Sequence, residues 1–572
     1  MTGSFNLVDR EWIPCVTPDG RVVHTGLLAA LTGAKQFKEV RDESPLVTVS
    51  LHRLLLAVLH RIFGPETPDA WAHLWHGGRG EFDVGKLEAY LKSPSVSPRF
   101  DLFDTKHPFY QTAALPLGDP DKKNMGRPKF VKPVWQMAHE LAYSDSMNLF
   151  AHFKETDWEI RPAAEAARWL IAFQAFALGG LITTEEGKKA QDGSADAGQL
   201  VKSAVVLAKG DSLFQTLMLN LVHYSAEEGV PFKHTRDKPA WERDEAVRPA
   251  DRPFDGYLDL LTWQSRRVKL VPELSADGEL LGVSGVVAMK GWQLPGFNRY
   301  DRETMVGFVK AEKVQTGQDP WPPLGFRSGR EIWRDSHTLF QSVTEKSERP
   351  KVLSWVDDLR QEGRINWAQV QLDVFGISSS TAKIFYWRHE SLPLPLVYLE
   401  DANRVGALKG GILLAEKVAR ILKAATYAAV LQAKKDVLAT EPEEATQALD
   451  FTGKNDSLKK KKPDPIGSRV KALTPERAYW SRLELRFRAL LLRLSEATDA
   501  DAHGRELGRW FHRELAPLVR QAFESVVNAM SGSQRELHGA AVGEHYLNRR
   551  LRKLGKRFPE PARPTTEDSR DD

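Results

Sequence analysis

From about residue 400 onward the pattern of this 572-residue chain turns almost wholly helical, and that change constrains the fold more than any other feature. Four runs, residues 403–439, 475–495, 501–530 and 535–558, contain few helix breakers. Apolar side chains stripe them, as Leu483, Leu485, Phe487, Leu490, Leu491 and Leu494 do in the second run, so each has a face to bury. The pattern predicts a C-terminal four-helix bundle over residues 401–558. Between the first two runs lies a proline-closed loop whose Lys459, Lys460, Lys461 and Lys462 make it too polar to pack. Residues 559–572 carry two basic against five acidic side chains, which predicts an acidic, disordered tail.

Before that boundary the pattern is mixed, and the length alone asks for two or more domains at roughly 100–200 residues each. Residues 5–14 and 21–24 flank Pro18-Asp-Gly20 and predict a small hairpin. Residues 46–63 repeat apolar side chains at helical spacing and stop at Gly64-Pro65. Residues 80–140 are broken by prolines and pinned by aromatics such as Phe103, Tyr110 and Trp135. The run from Trp169 to Leu178 is the most apolar in the chain, and Pro162 and Gly179 bracket a helix of about sixteen residues. Residues 212–222 are apolar enough for the core. Strand candidates follow at 258–264, 282–288 and 305–310. Strands and helices do not alternate, so residues 1–400 read as a large, irregular, mixed α/β domain and the whole chain as α+β.

Composition excludes several classes of chemistry. The single cysteine, Cys15, rules out a disulfide framework, a four-cysteine zinc site and a CxxC redox motif, and points to a reducing cytoplasm. The N-terminus has no secretory pattern, and the apolar run at 169–182 falls short of the ~20 residues a membrane span needs. No phosphate loop, dinucleotide fingerprint, zinc-helix motif or nucleophile elbow occurs. His389-Glu390 and Glu544-His545 are isolated pairs, as expected of a polar loop or a helix surface. The expectation is a chain without catalytic residues, metal or cofactor.

Charge points elsewhere. The net charge of +4 conceals a basic stretch, residues 469–557, with eighteen Lys/Arg against ten Asp/Glu. Such asymmetry suits a polyanionic partner or a solvated helical face. Lys188 and Lys189 lie in a Gly/Ser/Asp loop where they can approach phosphates. Gly179-Gly180 permits close approach of backbone to a ligand, or caps the preceding helix. Ser378 to Thr381, followed by Lys383 and Arg388, offers hydroxyls and charge to a duplex edge, or caps a helix.

Taken in order, five short segments resemble the CasA family, the large subunit of the type I-E CRISPR surveillance complex Cascade. They are Asn6 to Pro14 (NLVDREWIP), Lys238 to Trp241 (KPAW), Leu261 to Arg266 (LTWQSR), Pro320 to Pro323 (PWPP) and Phe385 to His389 (FYWRH). The resemblance covers the whole chain. It implies a non-enzymatic subunit that recognises the protospacer-adjacent motif in double-stranded DNA, starts strand opening and R-loop formation, and recruits a helicase-nuclease. The implied partners are the guide RNA, the other Cascade subunits, target DNA and that helicase-nuclease.

The resemblance also assigns residues. Gly179 and Gly180 stand where the family has a glycine loop against the motif duplex. Residues 375–389 match its hairpin wedge, with Ser380, Thr381 and Lys383 at the tip and Thr381 near the position expected to carry glutamine. Arg327 stands in for a finger lysine. The loop with Asn148, Phe150 and Phe153 resembles the segment that docks near the 5′ handle of the guide. The displaced strand or a partner would border either Lys459 to Lys462 or Arg549, Arg550, Arg552 and Lys553. Some family members carry a cysteine cluster in the middle region; this sequence does not, and no zinc is implied.

Overall fold

The computed structural model describes residues 3–77, 80–141, 158–185, 193–223, 236–294, 303–314, 319–342, 344–380, 383–434 and 465–558, with backbone only at 379, 380 and 383–385. The chain forms two compact units, Met1–Leu399 and Glu400–Asp572.

The first unit is built around the helix Pro45–Ile62, whose side chains from Leu46 to His60 are all buried. Ser44 starts it by accepting a hydrogen bond from Val47 N (3.2 Å), and Pro45 occupies the first turn, where its missing N–H costs nothing. By length and composition alone this helix could cross a bilayer, but 83% of it is buried within the unit. Beside it, Ile13–Val16 pairs antiparallel with Val22–Thr25 and with Glu39–Val40, giving the N-terminal hairpin a third strand.

Two further three-stranded sheets carry the middle of the chain. Arg266–Leu274 and Leu280–Lys290 form a long antiparallel pair joined by Lys132–Pro133. Gln369–Ser380 lies between Val205–Lys209 and Lys383–Pro395. The 369–380 strand is central, so it buries side chains on both faces: Val370, Leu372, Val374, Phe375 and Ile377 are each at most 3% exposed. Gly376 is required there because a Cβ would stand 2.4 Å from the Ser203 carbonyl oxygen.

Three sequence expectations for this unit are corrected. Residues 258–264 are not a strand; Tyr257–Leu261 is a short helix because buried Asp237 accepts hydrogen bonds from Leu258 N (3.0 Å) and Asp259 N (2.9 Å), satisfying its first amides. In 305–310 only Phe308–Val309 is strand. The apolar helix is Ala163–Phe176, with Ala177 as its C-cap in an extended conformation, so Gly179 is not a helix cap.

The second unit is helical. Its described helices are Ala402–Ala433, Pro465–Leu473, Pro475–Ser481, Glu484–Glu496, Ala500–Arg509, Ala516–Asn528 and Gln534–Gly555. The second expected run is interrupted at Arg482 and Leu483, between two of these helices. The third contains a π-helical segment, Trp510–Leu515. Pro517 follows at once; it cannot donate to the Arg513 carbonyl, and its ring crowds that oxygen, so regular α geometry cannot pass through. Trp510 is fully buried and donates to the Gly411 carbonyl (3.1 Å).

Helices Ala402–Ala433 and Gln534–Gly555 pack with their backbones close. A Cβ on Gly539 would meet the Ala429 carbonyl oxygen at 2.4 Å, and one on Gly543 the Ala425 carbonyl oxygen at 2.8 Å. Tail residues 559–572 lie outside the described residues.

Candidate nucleic-acid interface

After helix Ala163–Phe176 the chain reaches Gly179 and Gly180 in a turn whose strand Gly180–Leu181 pairs antiparallel with Ser194–Ala195. Both glycines are physically required. A Cβ on Gly179 would stand 2.9 Å from Ala197 N, and Gly180 has φ +130°, which favours glycine. Leu181 beside them is 98% exposed, so the turn presents backbone and one apolar side chain to solvent.

The base of this turn is clamped by a residue that sequence reasoning did not single out. Arg266 is 1% exposed, and its guanidinium is met by backbone carbonyls. Its Nη2 donates to the Leu178 carbonyl (2.8 Å) and to the Asp196 carbonyl (2.7 Å), and Nη1 donates to the Ser265 carbonyl (2.9 Å). One guanidinium therefore ties both ends of the turn to the edge of the Arg266–Leu274 strand. Burial pushes its pKa down to about 10, which leaves it charged at neutral pH.

The same joint is closed by buried amides. Gln174 donates to the Arg266 carbonyl (2.9 Å) and accepts from Arg266 N (3.0 Å), while Ser265 Oγ donates to the Gln174 carbonyl (2.7 Å). Gln293 Oε1 accepts from Asp196 N (2.5 Å). The signal available in the sequence was Gln174, one amide within an otherwise apolar helical run. On the far side, Glu185 pairs with Arg267 (2.7 Å). Lys188 and Lys189 lie outside the described residues.

The second expected element is a long hairpin. Gln369–Ser380 and Lys383–Pro395 pair along their whole length, with Ser380 opposite Lys383, which corrects the helix-cap alternative for Ser378 to Ser380. Thr381 lies outside the described residues, and the side chains of Ser380 and Lys383 are not described.

Arg327 sits on a tight turn against this hairpin. Gly329 has φ +68°, and Arg330 N donates back to the Arg327 carbonyl (3.1 Å). Asp335 gathers the turn: Arg330 grips it through Nε (3.0 Å) and Nη2 (2.9 Å), and Arg327 reaches it at 3.4 Å while staying 60% exposed. From the hairpin, Arg388 Nη1 donates to the Arg330 carbonyl (3.1 Å) and Glu390 accepts from Ile332 N (2.7 Å). The structure thus brings Arg327 to the hairpin. The chain itself runs from the glycine turn to the same sheet, since residues 198–204 lead into the strand Val205–Lys209, which pairs with Gln369–Ser380, and Ala204 N donates to the Leu324 carbonyl (2.7 Å) just before the Arg327 turn.

At the hairpin base His389, expected to be a polar-loop residue, has a structural task. It stacks on Phe375 with ring centroids 4.6 Å apart, and its Nε2 lies 3.2 Å from Asp373 Oδ1. Lys209 joins Asp373 (3.1 Å) to Glu39, and Ser391 Oγ donates to Asp373 (2.5 Å). Burial alone would raise the Asp373 pKa; His389, Lys209 and Ser391 outweigh it and hold the carboxyl down to about 2. Glu39, Lys209, Asp373, Phe375 and His389 line a small cleft of about 110 Å³ between the sheet and the start of helix Pro45–Ile62.

Of the remaining expected residues, Arg549, Arg552 and Lys553 are exposed on helix Gln534–Gly555, while Arg550 turns onto the Tyr546 ring (5.2 Å). Asn148, Phe150, Phe153 and Lys459, Lys460, Lys461 and Lys462 lie outside the described residues. No group of three or more His, Cys, Asp or Glu side chains suited to hold a metal ion occurs among the described residues.

The family model for CRISPR-associated protein Cse1 matches residues 6–522. The chain belongs to that family. A curated relative, CRISPR-associated protein CasA/Cse1 of Thermus thermophilus, is 30% identical over 573 aligned residues, 96% of this chain and 98% of the relative. A crystal structure of CasA from Thermus thermophilus superposes with a TM-score of 0.72 at 26% identity, covering 96% of this chain and 100% of that one. A chain of a CRISPR RNA-guided surveillance complex shares the fold at 18% identity, with a TM-score of 0.66 over 96% of this chain and 99% of its own. The mixed first unit and helical C-terminal region of this Cse1-family chain are thus those of solved Cse1 and CasA structures.

Proposed function

We propose that this Cse1-family chain is the non-catalytic large subunit of a type I-E, RNA-guided surveillance complex in the cytoplasm. In this reading it recognises the protospacer-adjacent motif in duplex DNA, starts strand opening and recruits the helicase-nuclease. The observation that carries the reading is the glycine turn itself: two half-buried positions that accept no ordinary side chain, next to exposed Leu181, on a base fixed by buried Arg266. A turn with no bulk and little freedom suits close approach to a minor groove, where A·T and T·A look alike and several motif sequences are tolerated. Opening the first base step costs about 1.4 kcal/mol of stacking, which an inserted hairpin and backbone contacts can offset before guide pairing replaces the lost pairing.

Within this proposal Gly179, Gly180, Lys188 and Lys189 face the motif duplex. Ser380, Thr381 and Lys383 form the wedge tip, with Arg327 as the finger cation beside it. Asn148, Phe150 and Phe153 dock against the guide. The helical unit, taken as a four-helix bundle, borders the displaced strand or a partner with Arg549, Arg550, Arg552 and Lys553 or with Lys459, Lys460, Lys461 and Lys462.

The test replaces Gly179 and Gly180 with valine in the assembled complex and measures binding to duplexes with and without the motif. The expected result is loss of at least ten-fold in motif-dependent affinity with non-specific binding retained. Unchanged motif discrimination by a folded variant overturns the assignment of the turn.

A further inference from the structure

A second surface lies on the sheet of Lys132–Pro133, Leu280–Lys290 and Arg266–Leu274. Residues 119–132 form a tight, well-fixed turn in the first unit. Asp121 accepts a hydrogen bond from Lys123 N (2.9 Å), and Asn124 Nδ2 donates to the Pro128 carbonyl (2.7 Å) and the Val131 carbonyl (3.0 Å). Pro120 and Pro128 bridge across its neck. The turn is also fastened from below: the Arg127 guanidinium covers the Trp158 ring at 4.3 Å, pairs with Glu273 (3.2 Å) and donates to Ser284 Oγ (3.2 Å).

What this rigid support holds outward is unusual. Met125 has φ +57° and is 64% exposed, an unbranched apolar side chain kept in a left-handed conformation at the tip of a surface turn. Gly126 beside it also has positive φ, +79°. A glycine at 125 would relieve the backbone and hide the side chain, so a methionine there runs against both the conformational and the hydrophobic preference. In the same turn Lys122, Lys123, Lys129 and Lys132 are exposed, Lys129 with its ammonium over the Phe130 ring (5.7 Å), so that four lysines stand against the two carboxylates Asp119 and Asp121. A patch that is cationic at its rim and apolar at its centre fits a strand with phosphates outside and unstacked base faces within reach.

We propose that the turn at residues 119–132 is a second nucleic-acid contact, in which Lys122 and Lys123 hold phosphates of a single-stranded segment of the guide RNA and Met125 lies against a base. The choice of the guide rests on the proposed function, in which Asn148, Phe150 and Phe153 dock against the guide: Trp158, held by Arg127, follows Phe153 by five residues in the sequence. A duplex has its base faces stacked away and offers Met125 no surface, which favours a single strand.

The test uses the full-length chain added back to a guide-containing complex that lacks it. With Lys122→Gln and Lys123→Gln together, the expected result is at least ten-fold weaker association with that complex and a salt slope, log K against log[salt], lower by about 1.4, since each phosphate on a single strand contributes about 0.7. Met125→Gly is expected to weaken association several-fold without lowering the melting temperature, because glycine accepts the left-handed backbone. Motif-duplex binding, measured once every complex carries the variant subunit, is expected to stay unchanged. Weaker association with an unchanged salt slope means a protein contact and overturns the proposal. Unchanged association with weaker DNA binding moves the turn to target DNA and also overturns it. No change in either shows a solvated turn and overturns it as well. Failure of the glycine-turn variants to affect motif discrimination is a separate readout, so the two readings fail independently.

Discussion

At the residue scale, the side chains that shape the candidate interface are mostly not those that would touch a ligand. Arg266 and Gln174 meet almost no solvent, yet they fix where Gly179 and Gly180 stand. Asp373 does the same for the hairpin base, and its ionisation makes the effect measurable. Its carboxyl sits at about 2 when folded against an ordinary 3.8, so the stabilisation is fully present above pH 3.8 and is lost as pH falls through 2. The shift corresponds to about 2 kcal/mol. Urea titrations between pH 5 and pH 2 should show the first unit losing about that much, and Asp373→Asn should flatten the acid limb while lowering stability at pH 7. An acid limb unchanged by the substitution would place the sensitive group elsewhere.

At the scale of elements, the long periodic segments were legible and the short ones only in part: the N-terminal hairpin and the strand at 282–288 are present, within Ile13–Thr25 and Leu280–Lys290, whereas 258–264 is not a strand. Residues 46–63 announce a helix because eighteen residues of repeat outweigh any single side chain, and the observed helix is Pro45–Ile62. Leu258 to Gln264 looked like a strand because its β-forming side chains are local, whereas the capping carboxylate of Asp237 lies about twenty residues upstream. The joint around Gly179 was half legible: two glycines marked a turn, but the arginine that holds it comes from nearly ninety residues later. Side-chain identity alone does not reveal that such a charge will be buried against carbonyls.

The close pairing of Ala402–Ala433 with Gln534–Gly555 belongs to the same scale. Gly539→Val should destabilise the second unit by on the order of 1–3 kcal/mol, because its Cβ has the Ala429 carbonyl 2.4 Å away and neither backbone can give. Gly504→Ala, whose Cβ meets nothing within 4 Å on an α-helix, should instead gain about 0.5–1 kcal/mol. Calorimetry on the two variants checks both signs.

At the scale of the whole molecule, the near-neutral charge conceals local fields. The basic side chains Arg552 and Lys553 are exposed on the last described helix, just before a tail with five acids against two bases. If the helical unit borders DNA, Arg552→Gln with Lys553→Gln should lower the salt slope of target binding by roughly 1.4–1.8, two phosphate contacts' worth. A slope unchanged in the assembled complex would assign that face to protein.

The π-helical segment Trp510–Leu515 has one more consequence. Leu507, Phe511, Leu515, Val519 and Phe523 follow one another at intervals of four, and the last four are buried. In an ideal α-helix such a stripe drifts about 40° at each step, because four residues overshoot one 3.6-residue turn. The wide turn absorbs part of that drift, much as a leap day returns a calendar to the seasons, and lets one apolar seam run straight past Pro517. Chain length at that point is therefore a matter of phase: one residue fewer would rotate everything that follows, and the seam would come apart with every hydrophobic side chain still in the sequence.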